Sequence, residues 1–189
     1  MNVPSACSYV ARYPVTNLRC RRPAHHGRVH IYKGELFLRN QCGESLVIKS
    51  GDTAFVGRDS HLQLYYEKDM DDTCLMSFLE LPLPFLCEFY HTFDENSLDT
   101  HLDALSAMHL LPLRPEIESL FQSLIPYIKS EEEISGRILQ LKRLEGAYSL
   151  LNINKRYAAI LFDFIGKCRL NIYDLLKPQT TDKIIWKKF

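Results

Sequence analysis

RVHIYKGELFLRNQCGESLVIKSGDTAFVGRDSHLQLYY, residues 28–66, is the stretch that decides the fold. It divides into five short runs, 28–33, 35–39, 45–49, 53–56 and 62–66, separated by turn residues. Apolar residues alternate within the runs, as at Val29 and Ile31, which is the pattern of a strand with one buried face. Gly34 and Gly51 stand at breaks where a tight hairpin needs a positive φ. Strands of this kind close into a barrel or a sandwich, and we predict a small antiparallel β-barrel.

The chain after this stretch changes from strands to helices. Residues 73–81 complete the strand set, and two prolines at 82 and 84 end it because proline has no backbone donor. Helical spacing of apolar residues begins near Phe85 and continues behind Pro115, and Ser130 with Glu133 resembles a capping box that starts a long helix. We therefore predict an α+β protein with a β-barrel at 1–82, a helical subdomain at 83–178, and a linker or the start of another domain at 179–189.

Composition limits the classes of function. The 23 basic and 23 acidic side chains cancel, so the chain lacks the basic excess of a nucleic-acid-binding domain. The six cysteines are scattered without a CxxC pair, which favours free thiols over disulfides or a zinc site. We see neither a cleavable leader nor an apolar run as long as a membrane span, and we expect a cytoplasmic protein with no membrane contact.

Three segments carry a resemblance to a known family. Tyr32–Leu38 is similar to a hairpin with the pattern x-x-Gly-Glu-Leu-x-Leu, and Gly51–His61 to a strand with the pattern Gly-Asp/Glu-Leu-Leu-Phe-Val-x-Arg-Gly-Ser-Tyr. Arg143-Leu-Glu-Gly, within the long helix, is similar to an Arg-Ile-Glu-Glu-Leu-Leu run. The order and spacing of these segments resemble the amino-terminal regulatory domain of the AraC/XylS transcription activators, in the branch that activates type III secretion and other virulence genes.

The resemblance implies a cytoplasmic regulator whose first domain is a cupin-like barrel followed by a helical dimerisation subdomain. Members of this family bind DNA through two helix-turn-helix units in a second domain, and that domain is absent from these 189 residues. We therefore expect a non-enzymatic regulatory, ligand-sensing and dimerisation domain that reaches DNA only through the absent domain. A naturally short protein that pairs with a full-length regulator and silences it is an alternative.

A metal-dependent cupin enzyme is the other alternative. Its chemistry requires two histidines one residue apart, a nearby glutamate, and a third histidine on a later strand. His25 and His26 are instead adjacent, His30 and Glu35 lie on opposite sides of a turn, and His61 lacks the usual Pro-x-Gly lead. We accordingly expect neither metal nor cofactor, and we find no catalytic residues.

The candidate ligand is a small apolar or fatty-acid-like effector, which the resemblance implies for some relatives. A barrel of this size has room for one, unless its interior is packed shut by its own side chains. Arginine and lysine are the residues suited to a carboxylate head group. The candidate contacts are Arg19, Arg21, Arg28, Lys33 and Arg39.

The long helix is the candidate dimer interface. Its apolar stripe consists of Ile134, Ile138, Leu141, Leu144 and Tyr148, with further apolar residues on a second side. A helix that is apolar on two sides needs two partners, so we predict that one side packs on the barrel and the other on a second copy of the chain. The stripe could instead face the barrel, and a regulatory protein partner could compete for the helices.

Overall fold

The structure, a computed structural model, describes residues 19–21, 25–40, 43–58, 62–65, 75–93, 105–130 and 134–165. For residues 19–21, 62–65 and 128–130 it describes the backbone alone. The strands are β1 (Arg19–Arg21), β2 (His26–Lys33), β3 (Glu35–Arg39), β4 (Ser45–Lys49), β5 (Thr53–Val56), β6 (Leu62–Tyr65), β7 (Leu75–Leu81) and β8 (Met108–Leu110). The helices are α1 (Leu83–Tyr90), α2 (Pro115–Gln122), α3 (Ile125–Ser130), α4 (Gly136–Ile153) and α5 (Tyr157–Leu161).

The strands form two antiparallel sheets and not the closed barrel that the sequence predicts. The first sheet has the order β1-β6-β3-β4, and the second has the order β7-β2-β5-β8. No ladder joins the two sheets within the described residues. The alternating apolar pattern requires only that one face of each strand be buried, and two facing sheets satisfy it as well as a closed ring does.

The second sheet is the middle of three layers. Its face toward the first sheet contributes Val29 and Ile31, which pack with Leu36, Leu38 and Ile48 of the first sheet. Its opposite face contributes Phe55, Leu79 and Leu81 to a larger apolar cluster with all the helices except α3. A strand in this sheet is therefore buried on both faces.

β2 occupies the centre of that middle layer, between β7 and β5. Six consecutive residues, 26–31, are buried. The alternation at Val29 and Ile31 predicts one buried and one solvent-exposed face. In the structure the helices cover the face that is predicted to be exposed. The polar side chains of His26, Arg28 and His30 are consequently buried between the sheet and the helices.

The turn glycines and strand ends follow the sequence pattern. Gly34 and Gly51 adopt φ values of 89° and 90°, which side chains with a Cβ rarely tolerate. β8 is the strand that the sequence pattern does not indicate, because three residues are too few for a visible alternation. It extends the second sheet by pairing with β5, so a segment from the predicted helical region completes the sheet.

α2 begins with Pro115 in its first turn, as predicted, whereas the predicted start of α4 at Ser130 is wrong. Ser130 is the last residue of α3, and α4 begins at Gly136 with Ser135 as its N-cap. The Ser135 hydroxyl accepts a hydrogen bond from the Ile138 backbone N–H at 3.4 Å. The Ser130–Glu133 pair matches a capping motif, but the motif alone does not determine the residue at which the helix begins.

We expect Ser135→Ala to lower the free energy of unfolding by about 1 kcal/mol, because it removes the side chain that caps α4. Urea denaturation followed by circular dichroism measures the change. Ser130→Ala is the matched control and should have a smaller effect, since alanine favours the helix in which residue 130 lies. Equal losses in both variants would contradict the assignment of Ser135 as the cap.

Several predicted features lie outside the described residues. They are residues 1–18 of the predicted barrel, residues 166–178 of the predicted helical subdomain, the segment 179–189 and His61. The side chains of five of the six cysteines are not described either. Cys87 is described, and it is free. Among the described residues, no helix is long and apolar enough to cross a membrane.

Candidate anion-binding site

Four polar side chains alternate along the helix-facing side of β2. They are His26, Arg28, His30 and Tyr32, and the first three are at least 95% buried. Side chains at every second position of a strand share a face, so the sequence of β2 aligns them in one row. Buried polar groups require partners, and the partners of each member decide what the row can do.

The first member of the row has an acidic neighbour. His26 Nε2 lies 3.8 Å from Asp163 Oδ1, at the end of the helical layer, and His26 Nδ1 accepts a hydrogen bond from the Arg58 backbone N–H at 3.1 Å. Arg58 also donates to Asp163. This end of the row therefore contains a compensating carboxylate.

Arg28 has no such carboxylate among the described residues. Its side chain is fully buried, and its Nη1 donates to the Ser149 hydroxyl of α4 at 2.8 Å. Its Nε and Nη2 have no hydrogen-bond partner within the described part of the chain. Nε and Nη2 lie on one edge of the guanidinium, and such an edge can bind two carboxylate oxygens at once.

The guanidinium carries its charge at neutral pH although burial opposes it. Burial lowers the pKa of Arg28 to about 10, and the negative charge of Glu145 partly offsets this effect. Glu145 itself is exposed and pairs with Lys142 at 2.9 Å. A buried charge without a hydrogen-bonded counter-charge is costly, so the site favours an anion.

The aromatic ring of Phe121, on α2, covers two members of the row. The Arg28 guanidinium carbon lies 5.7 Å from the centre of this ring, and the His30 ring stacks on it with centroids 4.8 Å apart. The Phe121 carbonyl accepts a hydrogen bond from the Tyr32 hydroxyl at 2.8 Å. α2 therefore closes one side of the site with an apolar surface.

His30 is neutral under ordinary conditions. Burial lowers its pKa to about 4, and its Nδ1 lies 2.9 Å from the Thr53 hydroxyl. Since the imidazole carries no charge near pH 7, Arg28 supplies the positive charge in this part of the row.

The other basic residues predicted to bind a carboxylate lie elsewhere. Lys33 and Arg39 are exposed at the ends of β2 and β3. Arg19 and Arg21 lie in β1 of the other sheet, and the structure does not describe their side chains. Of the five predicted contacts, Arg28 is the described one that is buried between the sheet and the helices.

A metal centre does not form among the described residues, where no group of three His, Cys, Asp or Glu side chains converges. His26 and His30 share the row on β2, where His26 lies near Asp163 and His30 near the Thr53 hydroxyl. His25 is half-buried just before the strand.

The predicted dimer stripe on α4 divides between two environments. Ile134 and Leu144 pack against the core cluster, and Ile138 is half-buried. Leu141 and Tyr148 remain 64% and 48% exposed. The buried residues of α4 are instead Leu139, Gly146, Ala147, Ser149 and Leu150.

Three residues that shape the site are difficult to identify from the sequence. Ser149 and Phe121 lie far from Arg28 in the chain, and nothing in their local pattern links them to it. Gly146 gives a signal, because glycine in the middle of a helix weakens it by about 1 kcal/mol relative to alanine and usually marks a close approach. A Cβ built at Gly146 would overlap Arg28 Nη2 and lie 3.0 Å from a Leu79 methyl group.

Comparisons with known proteins agree with this architecture. A family model described as the ExsA N-terminal regulatory domain matches residues 26–164. A search of curated proteins finds no match.

Solved structures of ToxT from Vibrio cholerae resemble the chain in fold. One at 1.65 Å resolution gives a TM-score of 0.55 at 14% identity, covering 83% of this chain and 59% of that one. A second structure, bound to (E)-4-(8-methylnaphthalen-1-yl)but-3-enoic acid, gives a TM-score of 0.55 at 14% identity, and the match covers 83% of this chain and 60% of that one. A third structure, with bound unsaturated fatty acid, gives a TM-score of 0.51 at 15% identity, and the match covers 76% of this chain and 51% of that one. The chain thus spans less than two thirds of the length of these proteins.

Proposed function

Because the chain belongs to the family of ExsA N-terminal regulatory domains, we propose that it is the effector-sensing and dimerisation domain of an AraC-family virulence activator. In this proposal the chain is not an enzyme, and it contacts DNA only through a helix-turn-helix domain outside these 189 residues. It acts in the cytoplasm, where that domain meets its target. The domain division at 1–82, 83–178 and 179–189 is part of the proposal.

One observation carries the effector-binding part of the proposal: Arg28 is fully buried and has two unpartnered N–H groups among the described residues. Two parallel donors on a buried cation suit a carboxylate, and the helices that cover this face of the sheet belong to an apolar cluster, which matches the character of an apolar tail. Both ligands named in the ToxT structures above belong to the chemical class of carboxylic acids. The proposed effector is therefore an apolar carboxylic acid.

The effector would act by shifting an equilibrium between two arrangements of the domain. A ligand changes such an equilibrium only by the difference in its affinity for the two states. The proposed outcome is a change in the orientation or the availability of the DNA-binding domain.

Titration calorimetry with oleate, kept below its critical micelle concentration, tests the effector-binding part. We expect saturable binding of one oleate per chain and no binding of methyl oleate, which has the same tail without the charge. Equal heats from the acid and the ester would overturn the carboxylate assignment.

The dimerisation part of the proposal is supported by the outer side of α4. Leu141 and Tyr148 are large apolar side chains that remain exposed on a helix whose other side is buried in the core. Tyrosine is among the residues enriched in protein interfaces, and the buried cores of homodimer interfaces are more apolar than the rest of the protein surface. The proposed partner is the same surface of a second copy, related by a two-fold axis.

We expect Leu141→Asp to weaken self-association by at least about tenfold, because it places a carboxylate in the centre of the proposed interface. Sedimentation velocity over a concentration series measures the change. Asn152→Asp is the matched control, since it adds the same charge to an exposed position on the same helix. A folded Leu141→Asp variant that associates like the unmodified chain would exclude this side of α4 from the interface.

A further inference from the structure

α4 contacts the candidate site at two positions one turn apart. Ser149 accepts a hydrogen bond from Arg28 Nη1 at 2.8 Å, and its own hydroxyl donates to the Gly146 carbonyl at 2.9 Å. The Arg28 side chain is therefore connected to the backbone of α4, 121 residues away in sequence.

Gly146 brings the helix close to the unpartnered edge of the guanidinium. A Cβ at this position would overlap Arg28 Nη2, which is one of the two nitrogens without a partner among the described residues. An anion on the Nε and Nη2 edge must therefore lie beside the backbone of α4 at Gly146. A bound anion and α4 would therefore contact the same side chain, that of Arg28.

We propose that α4 senses occupancy of the Arg28 site through Gly146 and Ser149, so that anion binding fixes the position of the helix that carries Leu141 and Tyr148. This inference rests on the proposed function, because it assumes an apolar carboxylic acid as the anion. Without the anion, the buried donors of Arg28 lack a partner and the contact between β2 and α4 is weakened. With the anion, the guanidinium is held on both edges and the contact tightens.

The consequence extends to the opposite side of the helix. Leu141 and Tyr148 belong to the same 18-residue helix as Gly146 and Ser149. A helix moves largely as a rigid element, so tightening of its buried side also restricts its exposed side. Arg28 occupancy would thus control how the apolar surface of α4 is presented.

Hydrogen exchange of the full chain, with and without oleate, tests the inference. We expect oleate to slow exchange of the α4 amides at 143–150 by about tenfold and to leave β4 of the distant sheet unchanged. Ser149→Ala, measured at an oleate concentration that saturates the variant, should lose most of the change in α4. Asn152→Ala, an exposed position on the same helix, should behave like the unmodified chain.

Gly146→Ala provides an independent test without any ligand. Helix propensity alone predicts that alanine slows α4 exchange by about fivefold. The inference predicts the opposite, because the new methyl group displaces Arg28 from Ser149 and loosens the contact. Slower exchange in Gly146→Ala would overturn the inference.

The outcomes separate the inference from the proposed function. Absence of oleate binding to the unmodified chain refutes the proposed effector. Oleate binding that slows α4 exchange equally in the unmodified chain and in Ser149→Ala refutes the sensing role alone. Loss of binding in a folded Ser149→Ala variant also refutes it, since Ser149 would then form the site without transmitting its occupancy.

Discussion

Arg28→Met is expected to reduce oleate binding by at least about 100-fold while leaving the domain folded. The loss follows from removing two charge-assisted hydrogen bonds to the carboxylate, each of which contributes roughly 1.5–3 kcal/mol. Methionine is unbranched, flexible and uncharged, so it occupies much of the space between β2 and α4 without a polar group. The calorimetric titration of oleate measures the change.

The stability of the same variant distinguishes a binding residue from a structural one. Replacing a buried charge by an apolar side chain of similar volume is often neutral or stabilising, by about 1–4 kcal/mol. Because Arg28 has a single hydrogen bond, to Ser149, among the described residues, we expect Arg28→Met to unfold at an equal or higher urea concentration than the unmodified chain. A structural arginine would instead give a clear loss of stability.

Lys33→Met is the matched control for both measurements. It removes a basic side chain from the same strand, but at an exposed position. We expect it to leave oleate binding within about twofold. If Lys33→Met abolished binding and Arg28→Met did not, the carboxylate would bind at the exposed end of the strand, and the site described above would be wrong.

The sequence predicts those parts of the fold that depend on short-range patterns. The strands β2 to β7 follow from alternation that each segment carries by itself, and the family resemblance drawn from three segments agrees with the match to the ExsA N-terminal regulatory domain. β8 escapes prediction because three residues carry no pattern. The start of α4 is misplaced because Ser130 and Glu133 satisfy a motif, whereas Ser135 caps the helix without one.

The candidate site is harder to predict because its parts meet only in three dimensions. Arg28 is one of the predicted carboxylate contacts, but nothing in the sequence favours it over Lys33 or Arg39 for that role. What distinguishes it is burial under the helices, and alternation along β2 predicts the opposite environment for that face. The glycine at 146 is the one local signal of a close approach, and its neighbour is identified only by the packing of α4 on the sheet.

The second large effect that we expect is a loss of stability between pH 6.5 and pH 4 that depends on His30. Burial lowers the pKa of His30 to about 4, whereas a histidine in the unfolded chain titrates near 6.5. Between these values the unfolded state binds more protons than the folded state, so the free energy of unfolding falls as the pH falls. The full difference corresponds to about 3 kcal/mol, and we expect about 2 kcal/mol after solvent screening.

His30→Phe isolates this contribution. Phenylalanine preserves the stack on Phe121 and removes the titrating group, although it also removes the hydrogen bond to Thr53. The variant is therefore expected to be less stable at pH 7 by about 1 kcal/mol and to lose less stability on acidification. Urea denaturation at pH 7.0, 6.0, 5.0 and 4.5 gives the free energy of unfolding of the variant and of the unmodified chain at each pH. The difference between their pH dependences is the contribution of His30.

Other groups that titrate in this range cancel in that difference. Burial also lowers the pKa of His109, and Asp52 partly opposes the shift at His30, but both remain in the variant. His91→Gln, at an exposed position after α1, controls for the removal of one histidine. If the pH dependence of His30→Phe equals that of the unmodified chain, the pKa of His30 is the same in the folded and unfolded states, and the imidazole is protonated in the folded domain below about pH 6.5. Arg28 would then have a second cation beside it in the row on β2, and a monoanionic effector would not neutralise the site.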